Sequence, residues 1–145
     1  YSETEGWRIS SLIVWDPSLF RMTNNISTLR GEKMNCIFCK IANKEIPSQI
    51  VFEDDNVIAF KDLNPQAPVH ILVIPKNHIS SINEINSENS YVVSKIFEAI
   101  NKIVVQENIS ESGYRVISNC GENGCQTVMH LHFHILGGKK LSETF

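Results

Sequence analysis

The stretch HLHFHILGG, residues 130–138, sets three of the chain's five histidines at alternate positions. In extended backbone, side chains alternate between faces and rise about 3.3 Å per residue. His130, His132 and His134 therefore share one face, and Met129, Leu131, Phe133 and Ile135 share the other. An apolar back with an imidazole front is what a site built on a sheet requires.

The 145 residues suffice for one domain with a real core. At 42% hydrophobic and 20% charged, the composition is that of an ordinary globular protein. A net charge of −3 gives no support to a general nucleic-acid binder. No apolar run nears the roughly 20 residues needed to cross a bilayer, and SSLIVW is too short for a signal peptide's apolar region. These features point to a cytoplasmic protein without nucleic-acid or membrane partners.

Residues 1–33 have mixed polarity and no clear period, and the pattern sharpens at Met34. Arg30-Gly31-Glu32-Lys33 could be read from purine-rich codons resembling a ribosome-binding site. The expectation is an upstream-derived or flexible extension over 1–33 and a working domain over 34–145. IFCKIANKEI reads as a short helix stopped by Pro47 and Ser48. QIVFED and VIAFKD read as strands joined by a tight turn, and HILVIP as a buried strand. Val92, Val93, Ile96, Ile100, Ile103 and Val104 recur at helical spacing and mark one long amphipathic helix. YRVIS and TVMHLHFHIL are the last two strands. Strands joined by short turns favour an antiparallel α+β sheet over a doubly wound one.

Three imidazoles on one strand face admit a catalytic metal site or nucleophilic catalysis by one imidazole oriented by its neighbours. The surroundings favour the second. A Gly/Asn loop ending in Gln126 and Thr127 precedes the strand and offers donors suited to phosphate oxygens. No H-E-x-x-H supplies a carboxylate base beside a metal. Cys36-x-x-Cys39 is a second constellation. With no secretory signal, it reads as half of a tetrahedral zinc site or as two reduced thiols. Cys120 and Cys125 are placed more weakly for any such role.

The segment Asn119…GCQTVMHLHFHILGG, together with FEDDNVIAFKDLNPQAPVHILVIPKNH, resembles the histidine triad (HIT) family, in its nucleotide-binding HINT-like branch. The resemblance runs from about Cys36 to Lys139. It implies a HIT-like fold: a five-stranded antiparallel sheet with one short and one long helix. It also implies a homodimer, in which the long helix and an edge strand meet their copies. The implied activity is hydrolysis of purine nucleoside 5′-phosphoramidates or related AMP conjugates through a covalent nucleotidyl-histidine. A dinucleoside polyphosphate hydrolase and a non-catalytic nucleotide sensor or adaptor are the alternatives.

By that resemblance His132 is the nucleophile, His134 and His70 hold the phosphate and the imidazole network, and the Thr127 hydroxyl lies near the leaving group. Asn119, Gln126 and Thr127 contact phosphate oxygens, and Val128 belongs to the substrate site. Asp62 accepts from the ribose, and Ile37, Phe38, Ile41, Phe60 and Leu63 wall the base. A neutral imidazole with a pKa near 6.5 is a competent nucleophile at physiological pH. Some relatives complete the Cys36/Cys39 pair with histidines that here would be His78 and His130. That gives a structural zinc site and no catalytic metal. The chain departs from the branch pattern at Cys125, where glycine is usual, and at Thr127, where serine is common.

Overall fold

The structure, a computed structural model, describes residues 35–144. The reading of 1–33 as an extension falls outside them. Strands β2 (Val57–Lys61) and β3 (Val69–Pro75) form the middle of the sheet. Val57, Ala59, Ile71 and Val73 point to one face and Ile58, Phe60, Leu72 and Ile74 to the other, all of them buried. Near-continuous apolar runs are what strands covered on both faces need.

β1 (Ile50–Glu53), β4 (Tyr114–Ile117) and β5 (Phe133–Gly137) complete an antiparallel sheet of order β1-β2-β3-β5-β4. β5 thus lies between β3 and β4, and Leu72 sits opposite His134 in the register. Helix α2 (Tyr91–Gln106) covers the first face with Val92, Ile96, Ala99, Ile100, Ile103 and Val104. Helix α1 (Ile37–Ala42) covers the second with Phe38, Cys39 and Ile41.

Both helices end without glycine. After α1, Glu45 N–H donates to the Lys40 carbonyl and Lys44 N–H to that of Ile41, with Lys44 at φ 63°. After α2, Ile109 bonds to Val104 and Asn108 to Val105, with Asn108 at φ 58°. These paired bonds around one left-handed residue make a Schellman turn, which glycine usually occupies. The Lys44 turn ends α1 well before Pro47 and Ser48, so the helix is shorter than the sequence pattern suggests.

Gly-Gly closes β5 for two local reasons. A Cβ at Gly137 would meet Ile109 Cδ1 at 2.9 Å. Gly138 has φ +87°, and a Cβ there would lie 2.9 Å from Pro68 Cβ.

Candidate active site

The triad divides between sheet and loop. β5 begins only at Phe133, so His134 is on the strand while His130 and His132 precede it. This corrects the expectation of a strand from Thr127 onward. Residues 126–131 bond instead to the segment after β3. Leu131 N–H donates to the Ile79 carbonyl (2.6 Å) and the Gln126 amide to that of Ser80 (2.7 Å). The alternation survives even so: Leu131, Phe133 and Ile135 enter the core under α2, while the three histidines face away from it.

The hydrogen bonds assign the ring protons. The Nδ1–H of His132 donates to the His130 carbonyl at 2.7 Å, which leaves the Nε2 lone pair as the reactive one. Gln66 N–H donates to His70 Nδ1 at 3.0 Å, so His70 carries its proton on Nε2 and donates it to His134 Nδ1 at 2.9 Å. The rings of His132 and His134 stand 5.2 Å apart. Burial pushes His70 and His132 down to about 4 and His134 to about 2, the last helped by its two histidine neighbours. All three are therefore neutral near pH 7.

Asp62 lies 3.5 Å from His70 Nε2 and is 5% exposed. Burial raises its carboxyl to about 6, against the bond from Asn64 N–H. With His70 neutral, this is a polar contact and not an ion pair. Asp62, His70 and His134 cluster closely enough to suggest metal ligation. The bond from Gln66 argues against it: a His70 that accepts at Nδ1 has no second lone pair to give.

The loop before the triad turns by a third Schellman turn whose left-handed position is not glycine. Gln126 N–H donates to the Gly121 carbonyl and Cys125 N–H to that of Glu122, both at 3.0 Å, and Cys125 has φ 61°. That conformation explains why glycine is usual there in the family pattern, and Cys125 adopts it at some strain. Asn119 and Thr127 are half-buried at the loop's two ends. Their side chains have no hydrogen-bond partner among the described residues, so both can serve a ligand.

Gln126 does not have that freedom, because its amide is bonded to Gly121, Ser80 and Val128. Its side chain is therefore committed to the protein backbone, which sets it apart from those of Asn119 and Thr127. Sequence reasoning missed this arrangement, since no local pattern marks a side chain bonded across 46 residues.

The expected base wall also divides. Phe38, Ile41 and Phe60 are no more than 2% exposed and pack in the core beneath α1. Ile37 and Val128 are half-buried against that core, and Leu63 is 61% exposed. The Phe38 ring instead stands edge-on to His132 at 5.2 Å and to His130 at 5.8 Å.

Cys36, Cys39, His78 and His130 converge as a second centre, with their ligand atoms all within 4.8 Å of one another. His130 Nδ1 lies 3.4 Å from Cys36 Sγ and 3.6 Å from Cys39 Sγ, and His78 Nδ1 lies 3.3 Å from Cys39 Sγ. Zinc bonded tetrahedrally to sulfur and nitrogen has S···N edges of about 3.5 Å. His130 Nε2–H donates to the Pro75 carbonyl at 2.8 Å, which leaves Nδ1 free to ligate. The Cys36 thiol is held far below the usual thiol range, first by its hydrogen bond with Cys39 and then by His130 and His78, against the effect of burial. The four residues fit a zinc ion.

A buried neutral imidazole whose Nε2 lone pair is open, with two more beside it and a donor loop at its flank, is an arrangement that nucleophilic catalysis can use. Residues 35–144 match the family model described as the scavenger mRNA decapping enzyme C-terminal binding domain. The chain is 47% identical over 105 residues to the purine nucleoside phosphoramidase of Escherichia coli K12, covering 72% of this chain and 88% of that one. It is 44% identical over 107 residues to a 14 kDa zinc-binding protein of Zea mays, covering 73% and 84%. A solved histidine triad protein from Clostridium difficile superposes with a TM-score of 0.74 at 57% identity, covering 75% of this chain and 95% of that one. The chain belongs to the histidine triad family and is a hydrolase.

Proposed function

We propose that this hydrolase cleaves purine nucleoside 5′-phosphoramidates or closely related AMP conjugates through a nucleotidyl-His132 intermediate. The observation that carries the reading is the bond from His132 Nδ1–H to the His130 carbonyl, which presents Nε2 as a neutral nucleophile. Nε2 attacks the α-phosphorus, a P–N bond forms to His132, and the bond from phosphorus to the leaving amine breaks as that amine takes up a proton. Water then adds to phosphorus, the His132–P bond breaks, and the nucleoside monophosphate departs.

Asn119 and Thr127 donate to the phosphate oxygens, with Thr127 on the leaving-group side. Donors already in place stabilise the charge that develops there. The bond from His70 Nε2–H holds His134 in the tautomer that carries its proton on Nε2. Asp62 accepts from the ribose hydroxyls, and Ile37 and Leu63 contact the base. The name and 47% identity of the Escherichia coli relative support the substrate class.

A zinc ion would be held by Cys36, Cys39, His78 and His130 and would supply a structural cross-link between α1 and the triad segment. The exposed Phe97 and Val105 of α2 and Tyr114 of β4 support a homodimer formed across that helix and edge strand.

Turnover of adenosine 5′-phosphoramidate, compared with a diadenosine polyphosphate, tests the proposal. Preference for the phosphoramidate supports it. Preference for the polyphosphate would reassign the substrate, and nucleotide binding without turnover of either would leave a sensor.

A further inference from the structure

We infer that Gln126 is the positioning residue of the phosphate loop, setting the donors that meet the phosphate while making no side-chain contact with it. The inference rests on the nucleotide reading above. Gln126 is 7% exposed, and every polar group of its amide is engaged. Oε1 accepts from Gly121 N–H at 3.0 Å, and Nε2–H donates to the Ser80 carbonyl at 2.7 Å and the Val128 carbonyl at 3.0 Å. These partners lie on three different backbone segments: the donor loop, the strap after β3, and the lead into the triad.

Gly121 and Gln126 are joined twice, since Gln126 N–H also donates to the Gly121 carbonyl at 3.0 Å. Asn119 and Thr127 flank this tie. Because their own side chains bond to no other described residue, their placement follows from the backbone that Gln126 fixes.

The glutamine chemistry is specific to this task. A glutamate would keep the acceptor for Gly121 but turn a second oxygen toward two carbonyls. A methionine would keep the shape and leave Gly121 N–H and both carbonyls without their partner. Unpaired, poorly solvated polar groups are costly, and the loop relieves that cost by shifting. A displacement of about 1 Å at a reacting centre can lower a rate about 100-fold.

The test compares full-length wild type with Gln126→Glu and Gln126→Met. The measurements are kcat and KM on adenosine 5′-phosphoramidate, equilibrium binding of AMP and of adenosine, and amide hydrogen exchange over residues 119–129 without ligand. Both variants are expected to lose about tenfold or more in kcat, to bind AMP more weakly and to keep adenosine affinity within about twofold. Exchange over the loop is expected to quicken in both.

A lower melting temperature with unchanged kcat and AMP affinity would reduce Gln126 to a structural residue and overturn the inference. Loss of AMP binding in Gln126→Glu alone, with wild-type loop exchange in both variants, would overturn it in favour of a direct phosphate contact. Wild-type protein that neither binds AMP nor turns over would overturn the nucleotide reading and this inference together. Unaltered variants of an active wild type overturn this inference alone.

Discussion

His132 gives its Nδ1 proton to the backbone carbonyl of His130 at 2.7 Å, so its ring is oriented by the residue whose own ring faces the two cysteines. Phe38, set between those cysteines in sequence, packs edge-on against both imidazoles. The two clusters are therefore neighbours in the fold: two thiols and two imidazoles on one side, and the Nε2 of His132 on the other.

Elemental analysis of protein purified without chelator is expected to find about one zinc per chain. Cys36→Ser with Cys39→Ser should remove it and lower the melting temperature markedly, because metal binding is coupled to folding. AMP affinity should change far less, since neither cysteine is among the residues proposed to contact the nucleotide. Metal-free protein that melts as the loaded protein does would contradict the assignment.

Cys125 carries left-handed strain that glycine would relieve. The left-handed region costs a residue with a Cβ about 1–2 kcal/mol, and the greater unfolded-state freedom of glycine returns about half of that. Cys125→Gly is expected to stabilise the chain by about 0.5–1 kcal/mol in denaturant unfolding. A destabilised variant would show that the Cys125 side chain makes a compensating contact.

Acid should destabilise the fold between pH 6.5 and 4. Burial holds His70 and His132 near 4 and His134 near 2 in the folded chain, against about 6.5 when unfolded. The unfolded state thus binds more protons in this window, and stability falls as pH drops through it. Asp62, raised to about 6, opposes the trend, because its folded form takes up a proton before its unfolded form does. Three lowered imidazoles outweigh one raised carboxyl. Melting temperatures measured from pH 7 to 4 should decline, and the decline should persist in the Cys36→Ser, Cys39→Ser protein, where metal release plays no part. A flat or rising profile would contradict the burial of His70, His132 and His134 as neutral imidazoles.

The period-two alternation of His130–Ile135 was legible because face selection depends only on extended backbone, and Leu131, Phe133 and Ile135 do line the core under α2. The length of that strand was not legible. Its first half bonds to Ile79 and Ser80, partners that no local pattern reveals. Lys44 hid the end of α1 for a related reason, since a left-handed turn without glycine carries no signature in the sequence. Cys36, Cys39, His78 and His130 converge as the resemblance implies, whereas the full burial of Phe38, Ile41 and Phe60 beneath α1 depends on tertiary packing that their spacing does not reveal.

The most direct test of the account is to trap the intermediate. Wild-type protein mixed with a nucleotide-labelled phosphoramidate and quenched rapidly should carry acid-labile, base-stable label on the peptide that contains residue 132. His132→Ala should carry none and lose turnover, while AMP binding survives through Asp62, Asn119 and Thr127. Label elsewhere, or near-normal turnover by His132→Ala, would contradict the assignment of His132 as the nucleophile.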